Sequence, residues 1–90
     1  MSWQLEYSLQ FVKQSKKLDY PTLKRVSDYL DAVVLSGEPR SRGKALTGNY
    51  GGYWRYRIGD YRIIAEICDS KLVVIALEIG HRSEIYRKSK

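Results

Sequence analysis

The first third of the chain changes from strand-like to helix-like patterning. Apolar and polar residues alternate over about residues 2–7, which predicts a first β-strand. Ser8 suits the N-cap of a helix that runs to about Lys17. A second helix has Pro21 in its first turn and ends at Gly37, with apolar residues at helical spacing between them. Two helices joined by so short a link are expected to form an antiparallel hairpin on one face of a sheet.

The rest of the chain is predicted to be mostly strand. Residues 38–52 are loop-like and rich in glycine and basic residues, and composition does not distinguish a mobile flap from an ordinary connection. Two strands joined at Gly59–Asp60 follow, and then an apolar run from Leu72 to Ile79 that is typical of a central strand covered on both faces. The order β-α-α-β-β-β predicts an α+β domain, with an N-terminal helical hairpin packed on a small antiparallel-dominated sheet.

The predicted hairpin around Gly59–Asp60 has two unlike faces. Aromatic and aliphatic side chains occupy one face, whereas Arg55 and Arg57 lie on the other. A two-residue turn pairs Arg57 with Arg62, and like charges in such a pair cost about 0.2–1 kcal/mol relative to a neutral pair. A bound phosphate would reverse that cost, because a guanidinium fork binds two of its oxygens. The cluster fits a phosphate-binding face, and it equally fits arginines that merely solvate an open sheet.

Composition and charge narrow the possible functions. The chain has 90 residues, enough for one domain with a single core, and we assign residues 1–90 to it. The net charge of +6 favours a polyanionic partner. With no apolar run of bilayer length and no secretory signal pattern, we expect a cytoplasmic protein without a membrane partner. A single cysteine and a single histidine cannot build a four-ligand zinc site, so we expect neither metal nor cofactor.

A second polar cluster follows the last predicted strand. His81 and Arg82 come directly after Gly80, and Tyr86 lies in a short predicted helical turn. Histidine is the side chain most easily tuned for proton transfer near neutral pH, although a histidine at a strand end is commonly an ordinary surface residue. Phosphodiester cleavage needs arginines to neutralise developing charge and proton-transfer groups for the attacking and leaving oxygens. The combined clusters supply those parts.

Two motifs, R-x-R-x-G-D-Y-R from Arg55 to Arg62 and G-H-R-S-E-I-Y from Gly80 to Tyr86, resemble the RelE/ParE toxin superfamily. The order of elements is similar too, and the resemblance covers essentially the whole chain and is closer to the RelE side. It implies a single RelE-like domain over residues 1–90, the toxin of a type II toxin–antitoxin pair that cuts the mRNA codon in the ribosomal A site. The implied chemistry needs no metal: the ribose 2′-hydroxyl attacks the adjacent phosphate and leaves a 2′,3′-cyclic phosphate and a free 5′-hydroxyl.

The same resemblance implies a catalytic set. Arg62 takes the place of the main phosphate-stabilising residue, and Arg82 that of the arginine near the end of the last strand. Tyr86 matches a C-terminal tyrosine that stacks on a base and assists proton transfer. His81 stands where other RelE-like members have a histidine that acts as acid or base. The implied set is therefore Arg62, His81, Arg82 and Tyr86.

Basic residues upstream of Arg62 are predicted to hold RNA phosphates, and they are Arg42, Lys44, Arg55 and Arg57. Arginine stays protonated and is therefore a poor general base, whereas the best-known family member has lysines at the pair on this strand. Two carboxylates are further candidates for the base. Alternation places Glu66 on the face of Arg62, and Glu78 interrupts the last apolar run. Their ordinary interpretations are an ion pair for Glu66 and a solvent-facing strand end for Glu78.

Two alternative functions stay open at this stage. A ParE-like member is implied to poison DNA gyrase by protein binding, and a plain nucleic-acid-binding domain would bind without chemistry. The histidine–tyrosine ending and the arginine pair favour the ribonuclease. For a toxin the resemblance also implies a cognate antitoxin across the basic site, and an acidic, partly disordered antitoxin suits the charge of +6. The ribosome and mRNA are the other expected partners.

Overall fold

The computed structural model describes residues 2–81, which form two helices and one five-stranded sheet. The predicted α+β order is confirmed, and inside the segment predicted as a loop the structure adds a two-residue strand and a 3-10 turn at Gly48–Tyr50. The predicted C-terminal helical turn lies outside the described residues. The elements are β1 (Gln4–Tyr7), α1 (Leu9–Ser15), α2 (Tyr20–Leu35), β2 (Lys44–Ala45), β3 (Trp54–Ile58), β4 (Tyr61–Cys68) and β5 (Val73–His81).

Local sequence signals account for where the helices begin. The Ser8 side chain accepts a hydrogen bond from the Phe11 backbone N–H at 3.0 Å, which confirms the predicted N-cap of α1. Asp19 caps α2 in the same way, with Pro21 in the first turn. Beyond the end of α2, Gly37 has a φ of 75°, a left-handed conformation that glycine adopts without steric cost. No helix within residues 2–81 is long and apolar enough to cross a membrane.

The strand order in the sheet is β1-β5-β4-β3-β2. Among the strands of residues 2–81 only the β1–β5 pair is parallel, so the sheet is mixed but dominated by antiparallel pairs. The predicted position of β5 away from the sheet edges is confirmed, since it lies between β1 and β4. Full coverage of both its faces is not confirmed, because Val74, Ala76 and Ile79 on the helix side are buried while Val73 and Ile75 on the other face are only half-buried.

Both helices contribute to one core on one face of the sheet. Phe11 comes from α1, and the core residues of α2 are Val26, Leu30 and Val33. The sheet residues that meet them are Tyr56, Ile58, Ile63, Ala65, Val74, Ala76 and Ile79. This arrangement leaves the opposite face of the sheet to be set by its own side chains.

A β-bulge interrupts the register between β4 and β5. Ile64 pairs with Glu78, but the next residue, Ala65, pairs with Ala76, so Leu77 is an extra residue on β5. Because side chains alternate along a strand, the extra residue reverses the faces of β5 beyond it. Ala76 and Ile79 therefore both reach the core, and Glu78 turns to the opposite face.

Side chains of the N-terminal segment hold the backbone at this bulge. The Ser8 hydroxyl donates to the carbonyl oxygen of Leu77 at 2.7 Å, and the backbone N–H of Ile79 donates to Gln14 Oε1 at 2.8 Å. Two backbone groups next to the irregular ladder thus find partners on α1 and its cap. The same serine caps the helix and anchors the bulge.

Candidate nucleic-acid interface

Four cations lie on the sheet face opposite the helices. Lys44 pairs with Arg55 across β2 and β3, and Arg57 pairs with Arg62 across β3 and β4. Directly paired residues share a face, so the four side chains project to the same side of three adjacent strands. The predicted pairing of Arg57 with Arg62 is confirmed. We call this surface the arginine face: Lys44, Arg55, Arg57 and Arg62.

The arginine face has an apolar base, and two of its cations are partly buried. Ile64 lies between Arg55 and Glu78 in the register and is only 1% exposed. The Nε atoms of Arg55 and Arg62 are buried, as is Nη1 of Arg62, whereas Arg57 is exposed. Charges that are partly withdrawn from water interact more strongly with an anion than fully solvated ones do.

A glycine fixes the position of Lys44 on this face. Gly43 has a φ of 82°, and a Cβ there would collide with the Arg55 carbonyl oxygen and lie 2.6 Å from Trp54 Nε1. Only glycine permits so close an approach of backbone to β3. The Trp54 indole N–H also donates to the Arg42 carbonyl oxygen at 2.7 Å. The short strand β2 is thereby held against β3.

The segment that leads into β2 is anchored by side chains. The Tyr56 hydroxyl donates to the Pro39 carbonyl oxygen at 2.6 Å, and both terminal nitrogens of Arg40 donate to Asp69 at 2.9 and 2.8 Å. This fork lowers the pKa of Asp69 and raises that of Arg40. Of the two interpretations of this loop, residues 39–42 fit an anchored connection.

Arg42 lies apart from the other predicted phosphate-binding residues. Its guanidinium carbon is 5.1 Å from the ring centroid of Tyr29, on α2. Burial raises the pKa of Tyr29, and the neighbouring Arg42 opposes that rise. The structure brings Lys44, Arg55, Arg57 and Arg62 together, and it places Arg42 on the helix side of the sheet.

His81 is the last residue of β5 and is exposed. It pairs with Tyr61, whose ring it meets edge-on with centroids 6.0 Å apart. Tyr61 in turn pairs with Ile58, a core residue, so the register places His81 on the helix side at the end of the strand. The other two predicted catalytic residues, Arg82 and Tyr86, lie outside the described residues.

The structure places the carboxylate of Glu78 at a position that differs from the one predicted from the sequence. Glu78 was expected at a solvent-facing strand end, but the bulge puts it on the arginine face, half-buried and opposite Ile64. The available signal was a phase change, because the core positions of β5 step by two from Val74 to Ala76 and then by three to Ile79. Within residues 2–81, no three acidic, histidine or cysteine side chains are grouped to hold a metal ion.

Several solved structures of the same architecture are toxins or toxin–antitoxin complexes. The chain resembles the RelBE2 toxin–antitoxin complex from Mycobacterium tuberculosis, with a TM-score of 0.81 and 24% identity over 92% of this chain and 94% of that one. The RelB–RelE complex from Methanococcus jannaschii gives a TM-score of 0.74 with 26% identity over 92% and 96% of the two chains. The isolated E. coli RelE toxin gives 0.72, with 24% identity over 99% and 95%. The fold is therefore that of RelE-like toxins.

Sequence comparison identifies the family. The chain belongs to the ParE toxin family of type II toxin–antitoxin systems, whose family model matches residues 5–86. A curated relative, toxin RelG of Mycobacterium tuberculosis strain ATCC 25618 / H37Rv, is 39% identical over 54 residues. That match covers 60% of this chain and 62% of RelG, so it spans about three fifths of the relative. The expected membership of the RelE/ParE superfamily is confirmed.

Proposed function

We propose that this toxin is a metal-independent endoribonuclease that cuts mRNA in the ribosomal A site. The observation that carries the proposal is the arginine face, with Arg57 directly opposite Arg62 and Lys44 directly opposite Arg55. Unscreened like charges in such pairs oppose folding, and a phosphate bridging them replaces repulsion with charge-assisted hydrogen bonds. RNA carries one phosphate per nucleotide and can therefore supply an anion to each pair of cations. Cleavage of the mRNA arrests translation and growth.

In the proposed reaction the cations act on the scissile phosphate. Arg62, whose Nε and Nη1 are buried, stabilises the negative charge that develops as the ribose 2′-oxygen attacks. Arg55, Arg57 and Lys44 hold the neighbouring phosphates. The 2′-oxygen bonds to phosphorus, the bond to the 5′-oxygen breaks, and the products are a 2′,3′-cyclic phosphate and a 5′-hydroxyl.

The remaining site residues are assigned by similarity to the family. Arg82 adds charge stabilisation, and Tyr86 stacks on a base. His81 and Tyr86 are the two candidates for the proton that the 5′-oxygen takes up. His81 can contact the RNA only where the RNA passes around the end of β5, because the register places His81 on the helix side of the sheet. Arg42 likewise contacts RNA only beyond the edge strand β2, so His81→Ala and Arg42→Ala are tested separately from the arginine face.

A cognate antitoxin is the second part of the proposal. The M. tuberculosis and M. jannaschii structures of this fold are toxin–antitoxin complexes. An acidic antitoxin segment across the arginine face would neutralise the net charge of +6 and exclude RNA. We place the pair in the cytoplasm and assign residues 1–90 to one toxin domain. Growth arrest on expression alone, relieved by the neighbouring small gene, is the expected result in cells.

Poisoning of DNA gyrase is the second candidate function, because the matching family model is that of ParE toxins. Such an activity requires a surface that binds gyrase and no cleavage of RNA. The paired cations favour the ribonuclease, since direct cross-strand pairs suit an oxyanion ligand better than a protein surface of mixed charge.

Purified ribosomes carrying a defined mRNA and an empty A site distinguish the two candidates. Wild-type protein is expected to produce new 3′ ends inside the A-site codon. Arg62→Ala should reduce that rate at least about 100-fold, as expected for loss of a donor that stabilises the transition state. The matched control is Lys17→Ala, an exposed cation that follows α1 on the helix side. Absence of cleavage by folded wild-type protein, together with inhibition of gyrase supercoiling, would establish the alternative.

A further inference from the structure

The arginine face lacks an identified proton acceptor among its cations. Arginine stays protonated and only donates hydrogen bonds, so Arg55, Arg57 and Arg62 do not remove a proton from a hydroxyl group. Lys44 is exposed on the edge strand, whereas lysines that act as general bases are typically buried. A 2′-hydroxyl attack needs such an acceptor, and a carboxylate on the same face supplies one. Two glutamates of β4 and β5 lie on this face: Glu66 and Glu78.

Register distinguishes these two carboxylates. Glu78 pairs with Ile64, two residues from Arg62 along β4, so it is a diagonal neighbour of Arg62 at roughly 7–8 Å between backbones. Glu66 is four residues from Arg62 on the same strand, or about 13 Å at the usual rise per residue. A glutamate and an arginine side chain in the diagonal arrangement can reach adjacent atoms of one nucleotide. In the longer arrangement both side chains must extend toward each other to do so.

The residue directly opposite Arg62 on β5 is Gly80. It contributes no side chain, so no β5 side chain stands between Arg62 and Glu78 at that position. Glu78 is half-buried beside Ile64, which is almost inaccessible to solvent. The backbone from which the Glu78 side chain extends is therefore part of a well-packed region of the sheet. The register thus puts one carboxylate and one partly buried guanidinium in diagonal positions on the same face of neighbouring strands.

We infer that Glu78 is the general base that deprotonates the ribose 2′-hydroxyl. This inference rests on the proposed ribonuclease function. The Glu78 carboxylate takes the 2′-hydroxyl proton while the 2′-oxygen bonds to phosphorus, and Arg62 holds a non-bridging oxygen of that phosphate. The bond to the 5′-oxygen breaks, that oxygen takes a proton from the separate acid, and Glu78 returns its proton to solvent. The bulge at Leu77 is what gives the base its position, because unbroken alternation from Ala76 would turn Glu78 into the core.

The test compares Glu78→Gln with the matched variant Glu66→Gln in the programmed-ribosome assay. Glu78→Gln should lower the rate at saturating ribosome by about 10²–10⁴-fold, the usual contribution of general acid–base catalysis. The half-saturating ribosome concentration should not rise, because removing a negative charge from a cationic face does not weaken RNA binding. Glu66→Gln should cleave within about twofold of wild type, and Glu78→Asp should recover part of the activity. Near-UV circular dichroism checks that each variant is folded.

A substrate with sulfur in place of the bridging 5′-oxygen separates base from acid. A thiolate leaves without being protonated, so this substrate relieves the loss of the acid but not the loss of the base. Glu78→Gln should stay impaired on it, whereas a variant of the acid should recover. Recovery of Glu78→Gln would make Glu78 the acid and overturn the inference, as would wild-type cleavage by Glu78→Gln on the ordinary substrate. If wild-type protein itself does not cut, the proposed function fails first, and that result is distinct from these two.

Discussion

Tyr56 connects the core of the molecule to the segment that leads into β2. Its side chain has no exposed surface, its ring meets Tyr29 edge-on at 5.9 Å, and its hydroxyl donates to the Pro39 carbonyl oxygen. Burial, with a smaller contribution from Tyr29, raises the pKa of Tyr56 from 10.0 to about 12, although Arg40 opposes the shift. A buried tyrosine that must stay neutral makes the folded protein less stable as the pH rises into the alkaline range.

The expected pH dependence follows from that direction. Below pH 10 the hydroxyl is neutral in the folded and the unfolded protein, and its full contribution to stability is present. Above pH 10 the unfolded chain loses the proton, while the folded chain keeps it until about pH 12. The free energy of unfolding should therefore fall by about 2–3 kcal/mol from this group between those values. Urea unfolding from pH 8 to 11 should show a smaller decline for Tyr56→Phe than for wild type. Tyr20→Phe, which alters a 74% exposed side chain, is the control and should decline like wild type.

At the scale of elements, α1 and β5 determine each other's local geometry. Ser8 caps α1 and also donates to the Leu77 carbonyl oxygen in the bulge, and Gln14 on the same helix accepts the Ile79 N–H. The contacts of α1 hold the bulge, and the bulge determines the side of the sheet on which Glu78 lies. The sequence predicts the helix and the strand separately, but it contains no local signal that a serine at one end of the chain pairs with a carbonyl near the other.

Removing the shared hydroxyl should destabilise the protein more than an ordinary cap does. Ser8→Ala loses the cap, worth about 1 kcal/mol, and leaves the Leu77 carbonyl without its donor, which costs about 1–3 kcal/mol more. Ser15→Ala removes an exposed hydroxyl that donates to Val12 within the same helix and should change stability by less than about 0.5 kcal/mol. Chemical denaturation measures both changes. Equal effects of the two substitutions would show that the contact with the bulge adds nothing.

At the scale of the whole molecule, the order of elements and the hairpin register follow from sequence because their signals are local. Helix caps, the Gly59–Asp60 turn and strand alternation together predicted the helical hairpin and the Arg57–Arg62 pair, which the structure confirms. What local signals did not predict were the long-range features. The anchoring of residues 39–42, the position of Arg42 over Tyr29 and the helix-side register of His81 depend on contacts between distant elements.

The charge distribution predicts how the proposed RNA binding should respond to salt. Each phosphate contact to single-stranded RNA adds about 0.7 to the slope of log affinity against log salt concentration. Arg57→Ala, an exposed change on the arginine face, should lower that slope by about 0.7, and Lys17→Ala on the helix side should leave it unchanged. Fluorescence anisotropy with a short RNA over a salt series provides the measurement. Equal slopes for the two variants would place the RNA elsewhere.

The parallel pairing of β1 with β5 also has a consequence for biosynthesis. Gln4 pairs with Val73, so the strand made first pairs with the strand made last of the five, and that last strand lies inside the sheet, between β1 and β4. While a nascent chain lacks β5, β1 has no neighbour, the core lacks Val74, Ala76 and Ile79, and β4 is an open edge. Folding that depends on such distant contacts is slow to begin and completes only when they can form. We therefore expect the nascent chain to stay unfolded until β5 is made, and a product truncated before β5 to be harmless and readily degraded.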